Sequence, residues 1–198
     1  MIVEQLNTKV FGYIKIVDAD TGELILEKSN AIHPQNMALV LARGLAADSN
    51  AGIFYLAFGN GGTFLNSSNF IVYRSPNTIG STASLYHQTY QVQVSQSNSD
   101  TPAGNTVTDS PSPNPALTSM VNVTCALRAN EPPASLTLPN QAVSDNLTTD
   151  ITQSVYTFNE ICLKTQDGLM LSHLIFSPIE KSANRAFLIT YTLTISVS

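Results

Sequence analysis

The chain has no tryptophan, two cysteines among 198 residues, and few charges: 12% of its residues are Asp, Glu, Lys or Arg. Each shortage excludes something. Without tryptophan, the usual aromatic platform for a sugar ring is missing, which argues against a glycoside-cleaving site. Cys125 and Cys162 each sit inside an apolar, strand-like run and read as buried free thiols. No run of Lys and Arg occurs, and the net charge of −5 opposes non-specific nucleic-acid binding, which needs a basic face. No apolar stretch approaches the length of a membrane span. The opening Met1-Ile-Val-Glu-Gln-Leu-Asn7 lacks a basic start and an apolar centre, so no secretory leader is expected.

Serine, threonine and asparagine fill the place of the missing charge. Such a surface is polar without being ionic, which favours β structure and packing against neighbours. The length suits one domain with a single core over residues 1–198. Three sequons, at Asn66, Asn122 and Asn146, are the chance product of this composition.

Periodicity gives the layout. Phe11 to Val17 is a strand, Asp18-Ala-Asp-Thr-Gly22 a turn, and Glu23 to Lys28 the returning strand. Pro34 suits the first position of a helix, and Met37, Val40, Leu41, Gly44 and Leu45 then share one face. This single short helix is expected over about 34–47. Short strands follow at Ile53–Phe58, Phe70–Tyr73 and Leu85–Val94, and alternation resumes at Val121, Val123 and Cys125. The step Thr165-Gln-Asp-Gly168 joins two further strands, Val155–Lys164 and Leu169–Phe176, in a hairpin. Ala186 to Val197 alternates strictly, with Phe187, Ile189, Tyr191, Leu193, Ile195 and Val197 on one face, as a central half-buried antiparallel strand does. Long loops are expected at about 97–116, as an exposed contact arm, and at about 130–150. Many strands with one helix near the N-terminus predict a mainly β fold, an antiparallel β-sandwich.

Gly59-Asn-Gly-Gly62 could be taken for a phosphate loop, but the helix precedes it. A phosphate loop places its glycines before the helix whose N-terminus meets the anion. The segment is therefore a turn or a close-packing device. His33, His87 and His173 are isolated, and no Cys or His stands at metal-ligand spacing from another, so neither metal nor cofactor is expected. Ser172 and His173 are strand neighbours that point to opposite faces, and no Gly-x-Ser-x-Gly elbow is present.

Glu160 stands out inside Phe158-Asn-Glu-Ile-Cys-Leu163. It is either an outward carboxylate on the polar side of a strand or a buried or interfacial ion-pair member, with Lys181 or Arg185 as partner. Pro178-Ile-Glu-Lys-Ser-Ala-Asn-Arg185 is the densest charge cluster of the chain. Glu160, Glu180, Lys181 and Arg185 are the candidate residues of a subunit interface.

Several stretches together resemble structural proteins of tailed bacteriophages, of the kind found in contractile-tailed particles. They are Gly12-Tyr-Ile-Lys-Ile-Val-Asp-Ala-Asp-Thr-Gly-Glu23, Asn30-Ala-Ile-His-Pro-Gln-Asn36 and Phe58-Gly-Asn-Gly-Gly62 at one end. At the other are Phe158–Leu163, Asp167–Phe176, Pro178–Arg185 and Ile189-Thr-Tyr-Thr-Leu193. The resemblance covers both ends of the chain and spares residues 97–150. It implies a non-enzymatic virion component, assembled in the host cytoplasm as a repeated subunit of the tail, neck/collar or baseplate. Partners would be copies of itself and other virion proteins, with neither nucleic acid nor membrane. The alternatives are a capsid-decoration protein on the head surface and a receptor- or glycan-binding module.

Overall fold

A computed structural model of the chain describes residues 7–94, 105–111, 118–132 and 155–197. The described residues are mainly β and antiparallel. The strands are β1 (Thr8–Asp18), β2 (Leu24–Ile32), β3 (Ile53–Gly59), β4 (Thr63–Leu65), β5 (Ile71–Tyr73) and β6 (Gln88–Gln93), then β7 (Thr106–Pro111), β8 (Thr118–Leu127), β9 (Val155–Thr165), β10 (Ser172–Ser182) and β11 (Phe187–Val197). One α-helix, α1 (Pro34–Leu45), separates β2 from β3, and a short 3₁₀ turn follows at Ser49–Ala51.

Nine strands form one sheet in the order β6-β3-β9-β10-β2-β1-β11-β8-β7, and β4 and β5 form a separate small hairpin. The large sheet is strongly curled. β9 and β11 are separated in it by three strands, which in a flat sheet would put them roughly 19 Å apart. Yet the Phe158 and Phe187 rings lie 6.4 Å apart, centroid to centroid. The outer strands also approach one another. Asn105, just before β7, donates to the Gln93 carbonyl of β6 (3.1 Å) and accepts from the Ala126 amide of β8 (2.8 Å). One apolar core therefore fills the inside of the curl. It takes Ile14 and Ile16 from β1, Phe58 from β3, Phe158 from β9, Phe176 from β10 and Tyr191 from β11, and Met37 of α1 packs into it.

The expected interior position of the last strand is seen. β11 pairs with β1 along one edge and β8 along the other, and Phe187, Ile189, Tyr191 and Leu193 are buried. Ile195 and Val197 are only half-buried, because the strand leaves the core at its end. The helix begins at Pro34 as expected and stops at Leu45, two residues earlier than expected. Leu45, placed on the apolar face by its spacing, is 93% exposed.

Two further expectations change. The second strand of the 165–168 hairpin continues past Phe176 to Ser182, so the charge cluster lies largely within β10. Pro178 fits there because the pairing with β9 shifts register between Ile175 and Ile179, where no ladder amide is required. Part of the expected contact arm, Thr106–Pro111, is strand β7, paired with β8. The rest of that arm, and nearly all of the loop expected at 130–150, lies outside the described residues.

The joint between β10 and β2 is weak. Only Ser172–Ile32 and His173–Ala31 pair across it. Beyond these the strands diverge, and Lys28 Nζ reaches across to the Ile175 carbonyl (3.0 Å).

Candidate functional site

The alternation of β9 explains where its polar residues go. Tyr156 and Phe158 face the core, and so do Ile161 and Leu163. Two even and two odd positions cannot share a face of a regular strand. The phase slips by one at Asn159-Glu160, beside the register shift in the pairing with β10. The two polar side chains occupy the slip, and both are fully buried. On the side away from the main core, Cys162 packs with Ala57, Leu85 and Met170 in a small second cluster.

Glu160 accepts four hydrogen bonds. The Gly61 amide (3.0 Å) and the His87 amide (2.8 Å) donate to Oε1. The Tyr86 amide (3.0 Å) and His173 Nε2 (3.0 Å) donate to Oε2. His173 Nδ1 in turn accepts from the Asn77 amide (2.8 Å). An imidazole whose Nδ1 accepts from an amide carries its single proton on Nε2, so the geometry calls for a neutral ring. Burial pushes the Glu160 carboxyl up, but the bonds from His173 and the His87 and Tyr86 amides outweigh it, and the carboxyl lies below its ordinary value. The result is a buried anion held by dipoles, without a cation beside it.

The neighbouring groups follow the same plan. Asn159 Oδ1 accepts from the Gly62 amide (2.8 Å), and its Nδ2 donates to the Asn60 carbonyl (3.1 Å) and to Thr63 Oγ1 (2.7 Å). Asn60 Oδ1 faces His87 Nδ1 at 2.5 Å. His33 caps α1 by accepting from the Asn36 amide at Nδ1 (3.2 Å), and its Nε2 donates to the Gly80 carbonyl (2.8 Å). Glu160, His173 and His33 thus bond to backbone groups of one segment, residues 77–87, which contributes Leu85 to the second cluster over β3 and β9. The arrangement is a polar clamp. It fastens a covering segment to the sheet, and it leaves no acceptor position of Glu160 turned to solvent.

The glycines of Gly59-Asn-Gly-Gly62 serve this clamp as close-packing devices. A Cβ on Gly59 would stand 2.5 Å from Glu160 Oε1, and one on Gly61 would stand 2.7 Å from the His87 amide nitrogen. Neither position leaves room for a side chain.

The four residues singled out from the sequence do not come together. Glu160 meets His173, and neither Lys181 nor Arg185 is its partner. An outward carboxylate is equally excluded, since Glu160 is fully buried. The reason is the phase slip, which turns the side chain toward residues 61 and 86–87 instead of toward the far end of β10. Lys181 is also enclosed, 1% exposed, and donates to the Glu131 carbonyl (2.8 Å). Burial lowers its ammonium to about 8. Arg185 binds Asp18 through Nε (2.8 Å) and Nη2 (2.7 Å) and lies over the Phe187 ring. The Thr21 amide, then that guanidinium, hold the Asp18 carboxyl at about 2. Arg185 therefore anchors the β1–β2 turn of its own chain. Of the four, Glu180 and Arg185 reach the surface.

His173, Asn77, Tyr86 and His87 did not emerge from the sequence as site residues. Their roles are carried by a lone histidine and by backbone amides, which leave no motif. The one available signal was the coincidence of two flagged features, Gly59–Gly62 and Asn159-Glu160.

Other reactive groups are closed. Both cysteines are free and buried, and burial raises both thiols, Cys125 to about 12. Among the described residues no three His, Cys, Asp or Glu side chains gather as a metal site would require, and no helix is long and apolar enough to cross a membrane. The chain matches no protein-family model, no curated protein and no solved structure.

Proposed function

We propose that this chain is a non-enzymatic structural subunit of a tailed-phage particle, repeated in the tail, neck/collar or baseplate. The observation that carries the reading is an exposed apolar surface next to a closed polar interior. Phe70 (69% exposed), Ile71, Tyr73 and Ile79 (89% exposed) stand out on and just after the β4–β5 hairpin. Arg74 lies between the Phe64 and Tyr86 rings, 5.3 and 5.0 Å from their centroids, and stiffens the base of this projection. Exposed apolar side chains on this hairpin and the segment after it suit contact with another protein. The Glu160 clamp then acts as a brace, holding the projection and its following segment to the sheet while load passes through the subunit. The sequence resemblance to phage structural proteins points the same way.

Within this reading the curled sheet is the sandwich expected from the sequence. Its halves are β6-β3-β9-β10 and β2-β1-β11-β8-β7, hinged at the two-residue joint and closed over one core. Low charge and abundant Ser, Thr and Asn suit wide, wet contacts between copies.

Immunogold labelling of purified particles tests the proposal. Gold on the tail, neck or baseplate is the expected outcome. Gold over the head surface would replace it with the decoration-protein reading, and particles that lack the chain would overturn it.

A further inference from the structure

Where β2 and β10 diverge, they leave a slot of about 530 Å³. Ile25 and Leu26 of β2 form one wall and Pro178 and Ile179 of β10 the other, with Phe176 at the base and Tyr73 of β5 at the rim. Tyr73 is fixed there by its hydroxyl, 2.5 Å from Ser177 Oγ. Over Leu24–Lys28 the β2 edge facing the slot has no ladder partner, although its other edge pairs with β1. Over Ile179–Ser182 the β10 edge facing the slot is likewise open, with β9 paired behind it. Open, partly apolar strand edges are a template for pairing with another chain.

The charges around the slot are complementary to themselves. Lys28 and Glu180 both line the slot and are exposed; Lys28 is rooted in β2 but its ammonium lies at the Ile175 carbonyl of β10, and Glu180 lies farther along β10, past Pro178 and Ile179. Lys28 bonds only the Ile175 carbonyl, and neither residue forms an ion pair among the described residues. A surface that carries a cation toward one end and an anion toward the other, with an apolar middle, matches a copy of itself turned by 180°.

We propose that the slot is a twofold contact with a second copy of this chain, in which Lys28 meets Glu180 of the partner subunit and Glu180 meets Lys28 of the partner subunit. Ile25, Leu26, Pro178 and Ile179 supply the apolar centre, and the paired charges set its register. This rests on the repeated-subunit reading above and names the surface through which one of its contacts is made.

A charge swap followed by analytical ultracentrifugation tests it. The wild type is expected to dimerise reversibly. Lys28→Glu and Glu180→Lys, each alone, place two like-charge pairs across the twofold axis and should weaken the dimer by at least about tenfold. The double variant Lys28→Glu/Glu180→Lys should recover it. Glu180→Lys touches no internal hydrogen bond of the described residues, so it remains informative if Lys28→Glu folds poorly. Single reversals that leave the dimer unchanged, or a double variant that stays monomeric, would overturn the slot assignment while self-association itself leaves the repeated-subunit reading standing. A wild type that remains monomeric would also overturn the slot contact. Gold labelling of the particle then decides the wider reading on its own.

Discussion

His173 holds Glu160 as a neutral ring: its Nε2 donates to Oε2 across 3.0 Å while its Nδ1 accepts from the Asn77 amide. A protonated ring would have to surrender that amide bond, because Nδ1 would then carry hydrogen. The negative charge of Glu160 is balanced instead by three backbone amides and one imidazole N–H. Such a centre gives direction to the fold. The four donors come from three separate points of the chain, so the carboxylate is satisfied only when the turn after β3, strand β10 and the 77–87 segment are all in place.

Gly59→Ala should therefore destabilise the fold from within the clamp. The added methyl meets Glu160 Oε1 and the His87 carbonyl, both held by the surrounding hydrogen bonds. Overpacking of this kind costs about 1–3 kcal/mol. Urea denaturation measures it, and an unchanged midpoint would show that the segment yields to the methyl group.

Glu160→Gln keeps the shape but turns an acceptor into a donor. Whichever position the amide nitrogen takes, it faces two of the four hydrogen-bond donors. The expected loss is roughly 2–5 kcal/mol at neutral pH. The variant should also respond less to acid. The folded-state carboxyl lies below its ordinary value of 4.5, so its stabilisation is fully present above about pH 4.5 and disappears as pH falls through the folded value. Denaturation series from pH 7 to pH 3 should show a shallower decline in the variant than in the wild type. Parallel declines would mean that other carboxylates govern acid unfolding.

Lys181 should leave its mark at the alkaline end. Burial lowers its ammonium from 10.5 to about 8. Between those values the unfolded chain holds a proton that the folded chain has released, so this group makes stability rise with pH across the window. Lys181→Met removes the group and keeps an unbranched apolar stem. The difference in stability between wild type and variant should shift in favour of the wild type from about pH 8 to pH 10. A constant difference across that range would show that the Glu131 carbonyl keeps the ammonium charged.

Local chemistry made parts of this molecule legible in its residues. The strict alternation of Phe187 to Leu193 marks an interior strand because a half-buried antiparallel strand has only one way to hide its apolar face. Pro34 marks the start of α1 because its fixed φ and missing N–H suit a first helical turn. Asp167-Gly168 marks the β9–β10 turn, where Gly168 takes a φ of 90°. Each of these signals acts over a few neighbouring residues, so the order of residues carries it.

The partners of Glu160 lie outside that range. They come from positions 61, 86, 87 and 173, and three of the four are backbone amides, which every residue type but proline possesses. No spacing rule encodes them. Charge alone suggested Lys181 and Arg185, because a sequence shows which groups could pair and not which lie within reach. The phase slip at Asn159-Glu160 decided the matter by turning the carboxylate toward the glycine loop. The curl of the sheet is likewise a tertiary outcome: the period of two fixes which side chains face inward, while the contact of Phe158 with Phe187, three strands removed, arises only when the whole sheet closes on a shared core. Residue order determined most of the strands and the start of the helix, since these depend on backbone geometry and nearby side chains, while β7, the exposed Leu45 and the slip in β9 escaped it. Tertiary structure alone decided which buried charge is satisfied by which donor and where two strands part to leave a slot, since both depend on contacts between segments far apart in the chain.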